Sequence, residues 1–278
     1  MKRVALSKRM QAVADLVPSG FTAADIGCDH GFVSVYLAGE GICPHVWAAD
    51  VRRGPLDRAR EHIAASGLEQ KITAVLSDGL KNIPSRPEGG PEGVLIAGMG
   101  GKLMARILAD APEKTSALSW CVLAPQSEVW LARRELESRG FFIVRERMVE
   151  EDGKFYPVML GLGPEERWSI PVGEARLRRR ELDKRMERAG LDERARQAAM
   201  DWLGAEPVSG KDAVLFSFLE HTIRTDEALL AGLSERTDTA RSADGERERR
   251  MQQRCLQLQE RLQLARQVRE LMSASAQG

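Results

Sequence analysis

The sequence has few cysteines, and none of them is arranged for metal binding. Its four cysteines are scattered, no two have CxxC spacing, and none lies near a histidine at the spacing of zinc ligands. We therefore expect small buried thiols in a reducing compartment and no metal cofactor. These cysteines are Cys28, Cys43, Cys121 and Cys255.

Net charge and long apolar runs are also absent. Lys and Arg total 41 and Asp and Glu total 41, so net charge gives no indication of a nucleic-acid partner. A basic face is still compatible with this total, because electrostatic attraction depends on how charge is distributed. No apolar run approaches the roughly 18 residues that span a bilayer, and the N-terminus lacks the apolar region of a secretory signal. We expect a soluble, cytoplasmic protein with no membrane partner.

Short apolar runs alternate with amphipathic stretches through the first 162 residues. This alternation predicts βαβ units and an α/β fold with an open, doubly wound, mainly parallel sheet. A closing hairpin, with Asp152-Gly153 as its turn, is expected to add one antiparallel strand. Pro157 cannot donate to a ladder, so we expect it at a bulge or a free edge position. The predicted strands are 22–26, 46–49, 72–76, 94–97, 120–124, 141–149 and 154–162.

The composition changes after Leu162, where Gly163-Pro164 begins a connector. We predict an α/β domain over 1–163 and an α-helical domain over 164–278. Apolar stripes in 213–236 and 246–272 predict two helices, and the small, polar stretch Thr237–Gly245 predicts the turn of an antiparallel helical hairpin. The Arg- and Glu-rich stretch near 174–200 is interpreted as a solvated helix with many ion pairs.

Acidic and glycine residues follow the predicted strands at the edge where doubly wound sheets bind ligands. Asp25 and Gly27 belong to the first turn, and Asp50 ends the second strand about twenty residues later, where an acid commonly binds both hydroxyls of a ribose. Each acid alone could equally be a helix cap or a turn residue. The predicted cofactor-binding set is Asp25, Gly27, Cys28, His30, Asp50, Val51, Ser77, Asp78, Gly79, Gly98, Met99 and Gly100.

The first glycine turn distinguishes between two cofactor classes. A nicotinamide fingerprint reads GxGxxG, whereas this turn reads Asp25-Ile26-Gly27-Cys28-Asp29-His30-Gly31. Bulky side chains stand where a second glycine would admit a pyrophosphate. The acid at Asp25 fits S-adenosylmethionine better, because that ligand has a cationic amino group and no pyrophosphate.

Taken together, these motifs resemble the bacterial TrmK family. The resemblance rests on the turn 25–31, on Gly54-Pro55-Leu56, on 78–80, on 96–101 and on the hairpin 151–156. It covers residues 4–162 well and the helical hairpin loosely. It implies a class I methyltransferase domain with a C-terminal coiled coil, and methylation of N1 of the adenosine at position 22 of tRNA. The sequence departs from the family after the fifth strand, where Ala124-Pro125-Gln126 replaces a Gln-Pro-Asn-like run. The Arg- and Glu-rich stretch near 174–200 is also expected to be a helical insertion relative to the family.

Two residues are the candidates for catalysis under this resemblance. Asp29 lies beside the methyl-donor turn, where a carboxylate could stabilise the cation that methylation leaves on the adenine ring. Gln126 keeps an amide that could bind the edge of the base. Contacts to RNA phosphates are expected from basic residues near the ligand edge. This set is Lys8, Arg9, Arg52, Arg53, Lys102, Arg106, Arg133 and Arg134.

Three other interpretations remain open at this point. A methyltransferase that acts on a small molecule or a protein would carry similar motifs at the cofactor site. A nicotinamide-linked oxidoreductase would share the doubly wound sheet. A non-catalytic RNA-binding scaffold is the third, and the departure at Gln126 is its best support. Salt-sensitive tRNA binding and turnover distinguish these classes.

Overall fold

The computed structural model describes residues 4–239 and 245–274, and it divides into two compact units, 1–177 and 178–278. The domain boundary predicted from the sequence, at 163/164, lies before the boundary in the structure, at 177/178. The segment after Gly163 belongs with the first unit because the ring of Trp168 lies 5.4 Å from that of Phe21, and Ala175 is buried in the core of that unit. None of the helices in the described residues is both long enough and apolar enough to cross a lipid bilayer.

The first unit contains a seven-stranded sheet in the order β3-β2-β1-β4-β5-β7-β6. The first five strands are parallel, and β7 is antiparallel to both of its neighbours. The predicted α/β sheet with one antiparallel strand is therefore confirmed. The strands are β1 (Ala23–Ile26), β2 (Val46–Asp50), β3 (Ile72–Leu76), β4 (Gly93–Ala97), β5 (Trp120–Ala124), β6 (Phe142–Glu151) and β7 (Lys154–Leu162).

Helices cover both faces of this sheet. Successive strand residues alternate between two apolar clusters, as the pleat requires. Leu95 packs in one cluster with the first three helices of the chain, and Ile96 packs in the other with the fourth and the sixth. The two clusters are the two cores of a doubly wound fold. The helices are α1 (Lys8–Asp15), α2 (Phe32–Gly39), α3 (Arg53–Ala65), α4 (Gly101–Ala109), α5 (Pro112–Ser116) and α6 (Val129–Ser138).

The β6–β7 hairpin turns at the residues that the sequence indicates. Asp152 has φ 51° and Gly153 has φ 70°, and two consecutive positive φ angles are characteristic of the two-residue turn that matches strand twist. Pro157 pairs with Met148 of β6, whereas β5 pairs with β7 only from Met159 onward. At Pro157 the strand therefore has β6 on one side only, so a missing N–H donor is tolerated there.

The second unit is helical. Its long helices form an antiparallel pair, because Asp226 bonds Arg261 while Lys211 bonds the carbonyl of Ala274. The predicted turn 237–245 falls mostly outside the described residues, since one helix continues through Thr239 and the next begins at Gly245. The helices are α7 (Ser169–Arg188), whose first turns belong to the first unit, α8 (Glu193–Leu203), α9 (Ala205–Ser209), α10 (Ala213–Thr239) and α11 (Gly245–Ser273).

The Arg- and Glu-rich stretch forms α7 and α8. Ion pairs join Lys184 to Glu181 at 3.2 Å and Arg196 to Asp183 at 2.9 Å, as a solvated helix predicts. The same stretch also buries apolar side chains, which its charged composition hides. These are Leu182, Met186, Leu191, Ala199, Met200 and Leu203. The proposal that this stretch is an insertion in its family stays a prediction.

Candidate active site

A cavity of about 630 Å³ opens at the carboxyl ends of β1 to β4. This volume is within the range of small-molecule sites. Most of the predicted cofactor residues and both candidate catalytic residues line it. Those that do are Asp25, Gly27, Cys28, Asp29, His30, Asp50, Val51, Ser77, Asp78, Gly79, Gly98, Met99 and Gln126.

Gly100 is the predicted cofactor residue that does not line the cavity. It precedes α4 with an extended backbone, φ −71° and ψ 150°. A Cβ at this position would lie 2.8 Å from the hydroxyl oxygen of Ser127. The absence of a side chain at Gly100 therefore lets α4 pack against the loop that follows β5.

The turn after β1 forms the floor of the cavity. Gly27 has φ 75°, and a Cβ there would lie 2.1 Å from the terminal methyl carbon of Met99. The N–H groups of Gly27 and Cys28 both donate to the carbonyl of Ala49, at 2.8 and 2.9 Å. Asp29 also has a positive φ, 50°. A non-glycine residue in this conformation costs on the order of 1–3 kcal/mol, and such strain is concentrated at functional sites.

Asp25 presents a buried carboxyl group to the cavity. The hydroxyl of Ser34 donates to its Oδ2 at 2.7 Å. Burial raises the pKa of Asp25 from 3.8 to about 6, although the Ser34 hydrogen bond opposes the shift and the charge of Asp50 adds to it. A cationic ligand group next to this carboxyl group would favour its ionised form, because opposite charges in a low dielectric attract strongly.

The carboxylate of Asp50 is held at the end of β2 by two backbone donors. The N–H of Arg52 donates to Oδ1 at 2.8 Å, and the N–H of Asp29 donates to Oδ2 at 3.3 Å. These bonds orient both oxygens of a buried acid beside the first glycine turn. This is the arrangement that binds the two hydroxyls of a ribose in doubly wound folds.

The turn after β3 combines a buried serine with an exposed acid. The hydroxyl of Ser77 donates to the carbonyl of Gly79 at 2.7 Å and accepts from the N–H of Asn82 at 3.0 Å. The carboxylate of Asp78 bonds the Lys81 ammonium at 2.5 Å, and this contact lowers the pKa of Asp78. In this structure the carboxylate of Asp78, a predicted cofactor residue, therefore faces Lys81.

Asp29 and Gln126 lie at the mouth of the same cavity. The side chain of Asp29 is 61% exposed, and its Oδ2 lies 3.7 Å from Nε2 of His30. The N–H of Gln126 donates to the carbonyl of Met99 at 2.9 Å, which places the turn after β5 against the glycine loop after β4. Both polar groups are therefore accessible to a base that enters the cavity.

Several aromatic and apolar groups at the cavity were not predicted from the sequence. The ring of Phe32 is exposed although it begins helix α2, and its centroid lies 4.7 Å from that of His62 and 5.9 Å from that of His30. The local pattern does not distinguish Phe32 from a core residue, because exposure depends on the neighbouring helix α3. The other lining residues that sequence reasoning missed are Met10, Ile26, Val33, Leu95, Ala97, Leu103 and Ile107.

The structure divides the predicted RNA-binding residues into three groups. Arg9, Arg52 and Arg106 line the cavity. The prediction that Arg133 binds RNA is wrong, because its guanidinium is buried in an ion pair with Glu146 of β6. Both side chains are only 5% exposed. Arg133 lies between Ala132 and Leu136 on the buried face of α6, which the helical period could have indicated. The remaining members are exposed and do not line the cavity: Lys8, Arg53, Lys102 and Arg134.

In residues 4–239 and 245–274, no group of three histidine, cysteine or carboxylate side chains is placed to hold a metal ion. Cys28 lines the cavity, and burial together with three neighbouring carboxylates raises the pKa of its thiol. This thiol is therefore uncharged at neutral pH.

The fold and the cavity define a methyltransferase domain. Residues 6–159 match the family described as a methyltransferase domain, and the chain belongs to that family. Its similarity to the TrmK proteins is confirmed by sequence and by structure. The tRNA (adenine(22)-N(1))-methyltransferase of Bacillus subtilis is 33% identical over 160 residues, which is 58% of this chain and 66% of that protein. The alignment thus spans just under two thirds of that relative.

Two solved structures extend the likeness to the helical part. The B. subtilis M1A22 tRNA methyltransferase TrmK superimposes with a TM-score of 0.72 and 26% identity, over 95% of this chain and 99% of the other. The M. capricolum TrmK, solved in complex with S-adenosyl-homocysteine, superimposes with a TM-score of 0.68 and 21% identity. That alignment covers 96% of this chain and 99% of the other, and it shows the shared fold.

Proposed function

We propose that this protein transfers a methyl group from S-adenosylmethionine to N1 of adenosine 22 in tRNA. The observation that carries the proposal is the cavity at the strand ends, where buried Asp25 and Asp50 flank a glycine turn in a methyltransferase domain. The choice of substrate is supported by the B. subtilis relative, whose name states this reaction. A tRNA substrate would also agree with the cytoplasmic location expected from the sequence.

The residues in the cavity fit the parts of S-adenosylmethionine. Asp25 offers a buried carboxyl group to a cationic amino group, and Asp50 offers two oriented oxygens to ribose hydroxyls. Gly27 and Gly98, both with positive φ, allow a ligand to approach the backbone closely. When bound, the cofactor supplies an electrophilic methyl group on its sulfonium. Further cofactor contacts are assigned to Cys28, His30, Val51, Ser77, Asp78, Gly79 and Met99.

The protein must then align the adenine of its substrate. A residue that accepts a proton is not needed for activation, because N1 of adenine has a free lone pair at neutral pH. The target base leaves its stack at a cost of about a few kcal/mol. Gln126 holds its edge, and the carboxylate of Asp29 stabilises the positive charge that methylation leaves on the ring. The strained φ of Asp29 supports this role, because the turn holds that carboxylate at the cavity mouth.

RNA affinity arises from the basic residues around the cavity mouth. Arg9, Arg52 and Arg106 line it, and Lys8, Arg53, Lys102 and Arg134 are exposed in the same unit. Contacts of this kind to phosphates supply most of the sequence-independent affinity, and they weaken as salt rises.

Nucleoside mass spectrometry tests the proposal directly. The purified protein is incubated with S-adenosylmethionine and two tRNA transcripts that differ only in having adenosine or guanosine at position 22. N1-methyladenosine in the first transcript alone supports the proposed reaction and site. Product in both transcripts moves the site, and product in neither, with cofactor binding intact, favours another substrate or a non-catalytic RNA-binding scaffold.

A further inference from the structure

The tip of the β6–β7 hairpin meets the first turn of helix α1. Oε1 of Glu151, the last residue of β6, accepts a hydrogen bond from the N–H of Arg9 at 2.9 Å. The first N–H groups of a helix have no partner within the helix, so this carboxylate satisfies one of them. The same bond lowers the pKa of Glu151, which is therefore ionised at neutral pH.

The hairpin also holds the side chain of Arg9. Its guanidinium carbon lies 4.5 Å from the centre of the Tyr156 ring, the geometry of a cation–π contact. Its Nε lies 4.0 Å from Oε2 of Glu151, which is too long for a hydrogen bond. Two hairpin residues therefore position Arg9: Glu151 bonds its backbone N–H, and the Tyr156 ring packs against its guanidinium.

One donor of the Arg9 guanidinium lacks a hydrogen-bond partner in the described residues. The Nε atom is buried, and it has no hydrogen-bond partner within the part of the chain that the structure describes. A buried donor without a partner costs about 1–3 kcal/mol, more when it is charged. Buried donors in proteins are almost always hydrogen-bonded, so the partner of this Nε comes from outside the chain, as a ligand or a water.

Arg9 lines the same cavity as Asp25 and Gln126. The other two arginines of the cavity are exposed, and Arg52 has its Nε 3.8 Å from the Asp50 carboxylate. The side chain of Arg9 is only 18% exposed, so its charge is less screened by solvent than theirs. It is therefore the cavity arginine best suited to bind an anionic oxygen strongly.

We propose that Arg9 is the anion-binding arm of this cavity and that Glu151 and Tyr156 are its positioning residues. The anionic oxygen belongs to a phosphate of the RNA or to the carboxylate of the cofactor, since both present the same chemistry to a guanidinium. This inference rests on the proposed function and assigns a role to the hairpin motif 151–156.

The test compares variants in steady-state kinetics and in direct binding. Arg9→Ala raises the KM of one ligand tenfold or more with a smaller effect on kcat, and Arg9→Lys restores it only in part because an ammonium cannot stack like a guanidinium. Tyr156→Leu raises the same KM, and Tyr156→Phe, which keeps the ring, does not. Lys71→Ala is the matched control, since Lys71 precedes β3 at the opposite edge of the sheet.

Coupling between the residues separates positioning from a general loss of structure. The double variant Arg9→Ala/Tyr156→Leu is expected to be no worse than Arg9→Ala, because Tyr156 acts through Arg9. Additive effects would overturn the positioning role. Glu151→Gln keeps an acceptor for the Arg9 N–H and is expected to raise that KM moderately, and thermal melting checks that each variant folds.

Two binding measurements identify the source of the anion. If it is an RNA phosphate, Arg9→Ala weakens tRNA binding and reduces the slope of log Kd against log salt by about one. If it is the cofactor carboxylate, Arg9→Ala weakens S-adenosylhomocysteine binding instead. An Arg9→Ala protein that binds both ligands normally refutes the inference. Absence of N1-methyladenosine with the wild-type protein refutes the proposed function alone, and the S-adenosylhomocysteine titration and tRNA binding still test Arg9.

Discussion

The pKa of Asp25 predicts how cofactor binding depends on pH. A ligand ammonium binds the ionised carboxyl group, and with a pKa of about 6 that form falls from roughly nine-tenths at pH 7 to one-tenth at pH 5. The dissociation constant of S-adenosylhomocysteine is therefore expected to rise about tenfold over this range, equivalent to about 1.4 kcal/mol. Isothermal titration calorimetry between pH 5 and 7 measures it directly.

Two variants make this prediction specific to Asp25. Asp25→Asn binds the ligand more weakly at pH 7 and loses most of the pH dependence, because its amide does not titrate. Ser34→Ala removes the hydrogen bond that favours the ionised form, so the midpoint of the pH dependence moves above that of the wild type. Wild-type affinity that stays constant from pH 5 to 7, or an Asn variant that keeps the full dependence, would refute the reasoning.

The same group contributes to folding with the opposite dependence on pH. The folded pKa of Asp25 lies above its ordinary value of 3.8, so the folded state binds the proton more tightly than the unfolded chain does. Its ionisation therefore destabilises the ligand-free protein as pH rises through about 6. Cofactor binding offsets this cost, and the thermal shift produced by S-adenosylhomocysteine should be larger at pH 7 than at pH 5.

Three further predictions concern other parts of the first unit. Asp29→Ala should lower kcat by about 100-fold while S-adenosylhomocysteine binding is unchanged, and full methyl transfer by this variant would exclude the assigned role. Arg133→Met should lower the free energy of unfolding by about 3–5 kcal/mol, because the buried charge of Glu146 then has no partner. Denaturant titration measures this free energy, and a loss below about 1 kcal/mol would contradict a buried ion pair. The pKa of Glu165 is lowered to about 2 by hydrogen bonds from Arg167, Ser119 and Arg86, against a burial penalty. The stabilisation that Glu165 provides is full above about pH 4.5 and is lost as pH falls towards 2. The wild type should therefore have a higher melting temperature than Glu165→Gln at pH 6, and the difference should disappear near pH 2. An equal difference in melting temperature at both pH values would refute this prediction.

Local sequence signals predicted the elements of the first unit well. The Asp152-Gly153 turn and the strands were predicted close to their observed bounds, because each depends on a few neighbouring residues. The strand-end acids Asp25 and Asp50 were predicted beside one cavity because parallel strands place their carboxyl ends at one edge. These predictions required only the order of elements along the chain.

Contacts between residues that are distant in the sequence were harder to predict. Arg133 was predicted to bind RNA, and its partner Glu146 lies on another element, so only the packed structure reveals the pair. The apolar stripes of the helical hairpin were predicted, but the buried Asp226 bonded to Arg261 was not. A helical period identifies which face is covered, and it does not identify the group that covers it.

The sequence by itself determined the alternation of strands and helices and the edge at which the acids collect, because hydrophobic period and turn chemistry are local. The tertiary structure decided the charge state of Asp25 and the placement of Arg9 against Tyr156. Both depend on solvent exclusion and on contacts between residues far apart in the chain. Burial and electrostatics are properties of the assembled fold, and they distinguish a carboxyl group or a guanidinium that binds a ligand from one that remains in water.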